Sequence, residues 1–450
     1  MKRDQFLFGV ATAATQIEGG AFADGKGKSC WDYYSEHNRI KNGNTCYVCC
    51  DSYNRVEDDI ELIRQLGVDS YRFSINWTRI QPLGYGAVNA KGIDYYNRLI
   101  DGLLKIGVKP LVTLFHWDMP MPLFEKGSFR DRSIVERFAE YGKIVGENFG
   151  DRVEMFSVFN EAMALIDFLH VRPVGGVGES LDDGQVAECI HNLMLSNAAA
   201  TYALRRYSKL PVKVGMVNCT HTKVPATEAD AECARKATFA VGNNILTNTV
   251  TFWDPLIFGK YNDEWVKKFG IDMSFVKDGD MEYIACKPDF LGLNIYLGES
   301  VKADENGEPV PATPSLNAVY GEMGGDLVGT AAAAYWGPKF LYERYKLPVY
   351  VTENGVSLCE WRRADGTIPD PYRCEYIKLY TDWLMKAKDE GIPVCGYYVW
   401  TLMDNFEWSS GFSRRFGLVY VDFETQERIP KTSFGYYRGL ISAYKAKWRG

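Results

Sequence analysis

Two glutamates in similar settings are the residues of this chain best suited to acid–base chemistry. Glu353 follows the apolar run Pro348–Val351, and Glu161 follows Val153–Phe159. Both runs have the β-branched and aromatic composition of buried strands. Burying a carboxylate is costly unless it is paired or neutralised, so a glutamate that closes a buried strand indicates a functional site. A pair of carboxylic acids flanking one bond is what glycoside hydrolysis requires.

The two glutamates need different protonation states to act together. Arg72 is expected to reach Glu353 and keep it ionised as a nucleophile, and Tyr296 can donate a hydrogen bond to the same carboxylate. Glu161, with apolar neighbours, is expected to have a raised pKa and to serve as the acid. A separation of about 5–5.5 Å would give retention of stereochemistry and about 6.5–9.5 Å would give inversion. The sequence leaves that separation open.

Eight short, nearly continuous apolar runs alternate with helical patterns along the chain. The predicted strands are Phe6–Ala14, Ser70–Trp77, Pro110–Trp117, Val153–Phe159, Val212–Val217, Ala285–Ile295, Leu347–Gly355 and Val394–Trp400. The predicted helices are Asp51–Leu66, Ile93–Ile106, Ser133–Phe149, Val186–Tyr207, Ala331–Tyr345, Tyr372–Glu390 and Ser433–Lys447. Strands of this kind pair in parallel with both faces covered.

We therefore predict an α/β fold, a single (β/α)8 TIM barrel with extended βα loops that occupies residues 1–450 as one domain. A doubly wound open sheet is the alternative. It would need a glycine-rich phosphate loop after the first strand, and Gly19-Gly20 does not make one.

Chemistry in such a barrel lies at the C-terminal ends of the strands. Those ends carry hydrogen-bonding and aromatic side chains, namely Gln16, Arg72, His116, Trp117, Asn160, Glu161, Asn218, Asn294, Tyr296, Glu353 and Trp400. Each could be a structural polar group by itself. Together they predict a polar cup with aromatic walls, which suits a polyhydroxylated ligand.

Several motifs together resemble glycoside hydrolase family 1. They are Trp31-Asp32, Tyr71–Ser74, Phe115–Asp118, Asn160-Glu161, Phe290–Asn294, Thr352–Gly355, Asp404–Trp408 and Arg415–Leu418, within a match from Phe6 to about Tyr437. The resemblance implies a retaining β-glycosidase that needs no cofactor and no metal. It implies Glu353 as nucleophile and Glu161 as acid/base, with Arg72, Asn294 and Tyr296 in support. The sugar-binding residues that it implies are Gln16, His116, Trp117, Asn160, Trp400, Glu407, Trp408 and Phe416.

Within that family the sequence is most similar to enzymes that remove terminal β-D-glucosyl residues from small glycosides, with galactose or fucose as further possible sugars. An ionised Glu407 would repel a 6-phosphate, and the segment Trp408–Phe416 resembles the unphosphorylated type. The alternatives are a 6-phospho-β-glucosidase that uses Arg414 or Arg415, a transglycosylase, and a non-catalytic sugar-binding protein.

Four positions depart from the family pattern. Ala162 stands where proline is usual, Gly324-Gly325 lacks the usual tryptophan, residues 165–180 lack the usual loop signature, and Asn54 replaces a frequent histidine. Three of these are expected near the leaving-group site. An unusual or bulky leaving group is the resulting expectation.

Composition limits the partners and the compartment. The net charge of −7 argues against nucleic acid and anionic membranes, and no run approaches the roughly 20 apolar residues of a membrane-spanning helix. Eleven cysteines without a disulfide rhythm indicate reduced thiols in the cytoplasm. Cys46, Cys49 and Cys50 lack further ligands at zinc spacing, and the first apolar run is predicted as a strand rather than a signal peptide. The sequence makes no prediction of oligomeric state.

Overall fold

The computed structural model describes residues 6–171, 181–313 and 330–449, and its centre is a closed barrel of eight strands. The strands are β1 (Leu7–Ala11), β2 (Ser70–Ser74), β3 (Lys109–Phe115), β4 (Met155–Phe159), β5 (Lys213–Cys219), β6 (Leu291–Asn294), β7 (Val349–Asn354) and β8 (Val394–Trp400). Every neighbouring pair is parallel, and β8 closes on β1 with Trp400 opposite Ala11. The predicted TIM barrel is confirmed, and the open sheet is wrong.

The helices surround the barrel and fill the loops. Those found close to the predicted bounds are Val56–Leu66, Ala90–Lys105, Ile134–Phe149, Asp183–Tyr207, Ala333–Tyr345, Pro371–Asp389 and Thr432–Arg449. Shorter helices that the sequence did not predict are Ala14–Ile17, Cys30–Glu36, Trp77–Ile80, Met121–Glu125, Ala162–Ile166, Ala231–Phe239, Thr249–Phe258, Asp263–Lys268 and Asp280–Ile284. Most of the shorter ones lie in the long βα loops.

Three predicted strands extend too far. The first ends at Ala11 and the second at Ser74, and each is followed by a short helix with every residue buried. The apolar residues of these short helices have the composition of a buried strand, which explains why the predicted strands are too long. Gln16 consequently lies on the helix Ala14–Ile17. The sixth strand begins at Leu291, because the residues before it form a helix end and a turn.

Two small sheets were also missed. One is formed by Lys223–Pro225, Glu299–Ala303 and Pro309–Pro311, and the other by Val419–Val421 and Arg428–Pro430. Strands of three to five residues leave little periodicity to detect. The first of these sheets lies beside the barrel mouth, where it joins the chain after β5 to the chain after β6.

A buried ionic cluster lies under the loops that follow β7 and β8. Lys431 Nζ is 2.8 Å from Asp404 Oδ1, and Arg373 Nε is 2.9 Å from Asp370 Oδ2. Glu360 contacts both cations. All five side chains are almost fully buried, so each charge requires its partners. The cluster joins Glu360 after β7 to Asp404 after β8 and thereby fixes both loops.

Within the described ranges, no set of three or more His, Cys, Asp or Glu side chains is arranged to hold a metal ion. The same ranges contain no helix both long and apolar enough to cross a membrane. Cys46, Cys49 and Cys50 are buried, and their thiols contact carbonyl or carboxylate oxygens.

Candidate active site

Glu353 lies near the end of β7, and both of its carboxylate oxygens are held by donors from elsewhere in the barrel. Arg72 Nη1, from β2, lies 2.5 Å from Oε1, and the hydroxyl of Tyr296 donates to Oε2 over 2.6 Å. The Arg72 and Glu353 side chains are only 1% and 5% exposed. A buried ion pair of this geometry, with a further hydrogen bond, holds Glu353 as a carboxylate.

Arg72 also orients the residue beside the second glutamate. Its Nη2 donates to Asn160 Oδ1 over 2.7 Å, so the amide nitrogen of Asn160 faces the other way and lies 3.0 Å from His116 Nε2. Burial lowers the pKa of His116, and the charge of Arg72 lowers it further. His116 is therefore neutral next to this amide.

Glu161 follows β4 in a strained backbone conformation. Its φ is 44°, in the left-handed region that a non-glycine residue rarely adopts, and it caps the helix Ala162–Ile166. Asn294 Nδ2 donates to Glu161 Oε1 over 2.7 Å, and Thr352 donates to Oδ1 of the same amide, which fixes its orientation. Burial, with the nearby negative charge of Glu353, raises the pKa of Glu161 to about 7.

These groups line a cavity of about 470 Å³ at the C-terminal end of the barrel. Eleven of the thirteen predicted site residues lie in its wall: Glu161, Glu353, Asn294, Tyr296, His116, Trp117, Asn160, Trp400, Glu407, Trp408 and Phe416. Arg72 and Gln16, both buried, lie behind this wall. The structure thus brings all thirteen together.

Gln16 and Glu407 meet on the side of the cavity away from β5. Gln16 Nε2 donates to Phe406 O over 2.8 Å and lies 3.2 Å from Glu407 Oε2. Gln16 Oε1 is buried, and in the ranges that the structure describes it has no hydrogen-bond partner. Since buried polar atoms are normally satisfied, this unpaired acceptor is an exception that lies directly behind the cavity wall.

The expected charge of Glu407 needs a correction. Burial raises the pKa of Glu407 to about 8, and the charge of Glu353 adds to the effect. The carboxyl is therefore mostly protonated at neutral pH. Repulsion by an ionised Glu407 is accordingly a weaker argument against 6-phosphorylated substrates than the sequence suggested.

Several wall residues were not predicted. They are Ala164, Phe168, Cys219, Thr220, His221, Leu297, Ser409 and Ser410. Arg414, named from the sequence only for the 6-phospho alternative, also lines the cavity. Cys219, Thr220 and His221 end β5 and follow it, so the strand-end rule could have found them. Asn218, which that rule did select, instead accepts hydrogen bonds from the backbone amides of Met163 and Cys219.

The four departures fall in different places. Ala162 is buried as the first residue of its helix, while Ala164 and Phe168 line the cavity. Asn54 is exposed and donates to Asp51. Gly324-Gly325 and residues 172–180 lie outside the described ranges.

Comparison with known proteins agrees with this geometry. The model of "Glycosyl hydrolase family 1" matches residues 2–446. Beta-glucosidase A of Thermotoga maritima is 42% identical over 441 residues, which cover 97% of this chain and 96% of that protein. A beta-glucosidase of an Agrobacterium species is 37% identical over 98% of this chain and 95% of its own. The solved structure of a Thermotoga maritima beta-glucosidase in complex with glucoimidazole superposes with a TM-score of 0.87 at 39% identity, covering 98% of both chains. This chain belongs to glycosyl hydrolase family 1.

Proposed function

We propose that this protein is a retaining β-glucosidase that releases terminal non-reducing β-D-glucosyl residues from small glycosides. The observation that carries the proposal is that one cavity holds two carboxyl groups in different surroundings. Arg72 and Tyr296 hold Glu353 as a carboxylate, and burial favours the protonated form of Glu161. Glycoside hydrolysis uses such a pair, and membership of family 1 favours the retaining form of the reaction.

In the first step Glu353 attacks the anomeric carbon while Glu161 gives its proton to the leaving oxygen. A covalent glycosyl-enzyme forms, and the aglycone departs. In the second step Glu161, now a carboxylate, takes a proton from the attacking water, and Glu353 leaves as a carboxylate that Arg72 and Tyr296 stabilise. Asn294, which donates to Glu161, favours that ionised intermediate state.

The remaining predicted residues would hold the non-reducing sugar. His116, Trp117, Trp400 and Trp408 form an aromatic wall, with Trp117 and Trp408 ring centroids 4.7 Å apart. Asn160, Gln16 and Glu407 supply polar atoms, and Phe416 extends the apolar surface. Sugars combine a stacking face with many hydroxyl groups, and this mixture suits both.

The whole chain would act as one barrel domain on a small glycoside, without a cofactor. Buried thiols at Cys46, Cys49 and Cys50 support the reducing cytoplasm as its location. The relatives named above are β-glucosidases, which does not favour the 6-phospho alternative. Both carboxyl groups are in place, which disfavours a non-catalytic role. Transglycosylation remains the second candidate, and product analysis at high acceptor concentration distinguishes it.

The test is hydrolysis of p-nitrophenyl β-glucoside beside its 6-phosphate and β-galactoside counterparts. Turnover of the glucoside should fall by roughly 10⁴-fold or more in Glu353→Ala. Azide should restore turnover of Glu161→Ala and give a product of retained stereochemistry. Rescue of this variant with inverted product would exchange the two roles. If the folded wild type turned over none of the three substrates, the proposed function would be wrong.

A further inference from the structure

His221 and Glu299 form a contact at the cavity rim that the catalytic steps do not use. His221 Nδ1 lies 3.6 Å from Glu299 Oε1, and Lys223 Nζ lies 2.7 Å from the other carboxylate oxygen. The His221 and Glu299 side chains are 42% and 48% exposed. Exposed ion pairs contribute only about 0–1 kcal/mol to stability, so the fold does not depend on this one.

The pair joins two segments that both lead to the catalytic carboxyls. From Cys219 at the end of β5 the chain runs through Thr220 and His221 into the short strand Lys223–Pro225. After β6 it passes Tyr296 and Leu297 and enters the short strand Glu299–Ala303. The two short strands pair in parallel with Lys223 opposite Glu299. A backbone hydrogen bond of 3.0 Å from Glu299 N to Thr222 O holds the segments together next to the rim.

This part of the wall lies on the side of Glu161. Burial raises the pKa of the Cys219 thiol, and the charge of the neighbouring Glu161 raises it further. Asn294, at the end of β6, donates a hydrogen bond to the Glu161 carboxyl. Because Glu161 is the proposed donor to the leaving oxygen, a leaving group passes Cys219, Thr220 and His221 on its way out. Gln16 and Glu407, in contrast, meet on the side of the cavity that lies away from β5.

Nδ1 is the nitrogen of the His221 ring that faces Glu299. With Nδ1 towards the carboxylate, Nε2 is the nitrogen of this cavity-lining ring that is left for a ligand. Thr220, Ser409 and Ser410 add hydroxyl groups to the outer wall, and Phe168 and Leu297 add apolar surface. A sugar offers both an apolar face and hydroxyl groups, whereas an alkyl chain offers only the first.

We propose that His221, oriented by Glu299, hydrogen-bonds the leaving group and favours a second sugar over an apolar aglycone. Glu299 acts through His221 and is a positioning residue. The preferred substrate class is thus a β-linked oligosaccharide. This inference rests on the proposed glucosidase function and extends it to the other side of the scissile bond.

The test measures kcat/KM for cellobiose and for octyl β-glucoside in His221→Phe, His221→Gln and Glu299→Gln. The ratio of cellobiose to octyl glucoside should fall about three- to tenfold in His221→Phe, as expected for one lost hydrogen bond. Glutamine at 221 should recover much of the ratio, and Glu299→Gln should lower it through KM rather than kcat. Lys223→Ala, which removes the other cation bound to Glu299, is the matched control and should keep the ratio.

Three other results would overturn either this inference or the proposed function. An equal loss on both substrates would make His221 a structural residue, and an unchanged ratio in His221→Phe would mean that the leaving group does not reach it. Either overturns this inference and leaves the glucosidase function standing. If the wild type hydrolysed neither these glucosides nor p-nitrophenyl β-glucoside, the proposed function itself would fail, and this inference with it.

Discussion

The phenol of Tyr296 donates a 2.6 Å hydrogen bond to the Glu353 oxygen that Arg72 does not contact. Glu353 becomes a leaving group in the second catalytic step, so this bond should matter most there. In Tyr296→Phe we expect breakdown of the glycosyl-enzyme to slow about 10-fold or more, as for a hydrogen bond to a charged group. A burst of dinitrophenol from 2,4-dinitrophenyl β-glucoside, measured by stopped flow, would show that breakdown of the glycosyl-enzyme has become slow.

Tyr398→Phe is the control for that measurement. Its hydroxyl is also buried but bonds Ser70 below the site. The Tyr398→Phe enzyme should show no burst larger than that of the wild type. A Tyr296→Phe enzyme with unchanged breakdown would contradict the role of this hydrogen bond.

The raised pKa of Glu161 predicts the basic limb of the pH profile. The acid must be protonated, and its pKa is about 7 in the free enzyme, so kcat/KM should fall tenfold per pH unit well above pH 7. Asn294 donates to Glu161 and thereby lowers this pKa. The basic limb should therefore move to higher pH in Asn294→Ala. If the basic limb stayed in place or moved to lower pH in this variant, the limb would report the titration of a group other than Glu161.

Arg72 should matter for stability as well as for catalysis. Replacing it by methionine leaves the buried Glu353 carboxylate without its counter-ion, which typically costs about 3–5 kcal/mol. Urea denaturation measures the loss. Adding Glu353→Gln to Arg72→Met should restore part of the stability, because it removes the unpaired charge. Arg64→Met, which breaks the exposed pair with Glu61, should leave the urea midpoint unchanged. No recovery in the double variant would contradict the expected coupling.

Gly355 allows β7 to approach β8 beside the nucleophile. A Cβ at this position would lie 1.9 Å from the carbonyl oxygen of Trp400, so one segment must shift. Gly355→Ala should lower stability by about 1–3 kcal/mol and reduce activity at least tenfold, since Trp400 and Glu353 both line the cavity. Gly439→Ala is the control, because nothing lies within 4 Å of that Cβ and the site is helical. It should be neutral or slightly stabilising.

The barrel and most of the site could be predicted because both depend on local patterns. Eight apolar runs mark the strands. Because the C-terminal ends of barrel strands meet at one end of the barrel, residues 72, 161 and 353 are expected to lie close together. Family motifs added Glu407, Trp408 and Phe416, which follow β8 in an irregular segment that no periodicity describes.

What could not be predicted depends on contacts between distant segments. The Lys431–Glu360–Asp404 cluster joins residues 27 and 71 positions apart, and none of the three has a sequence neighbour that signals it. The protonated state of Glu407 follows from burial among other carboxyls, which a sequence does not display. The rim pair His221–Glu299 likewise exists only because two short strands meet.

Arg72 on β2 contacts Glu353 on β7 and also Asn160, which follows β4, and Asn294 on β6 then contacts Glu161. Gln16 after β1 meets Glu407 after β8 in the same way, so a folding intermediate or fragment that lacks any of these six strands would lose at least one of these contacts. Hydrolysis of a glucoside is therefore an assay for ring closure itself. In refolding or fragment-complementation experiments, activity should return only when β1 has joined β8, later than the secondary structure.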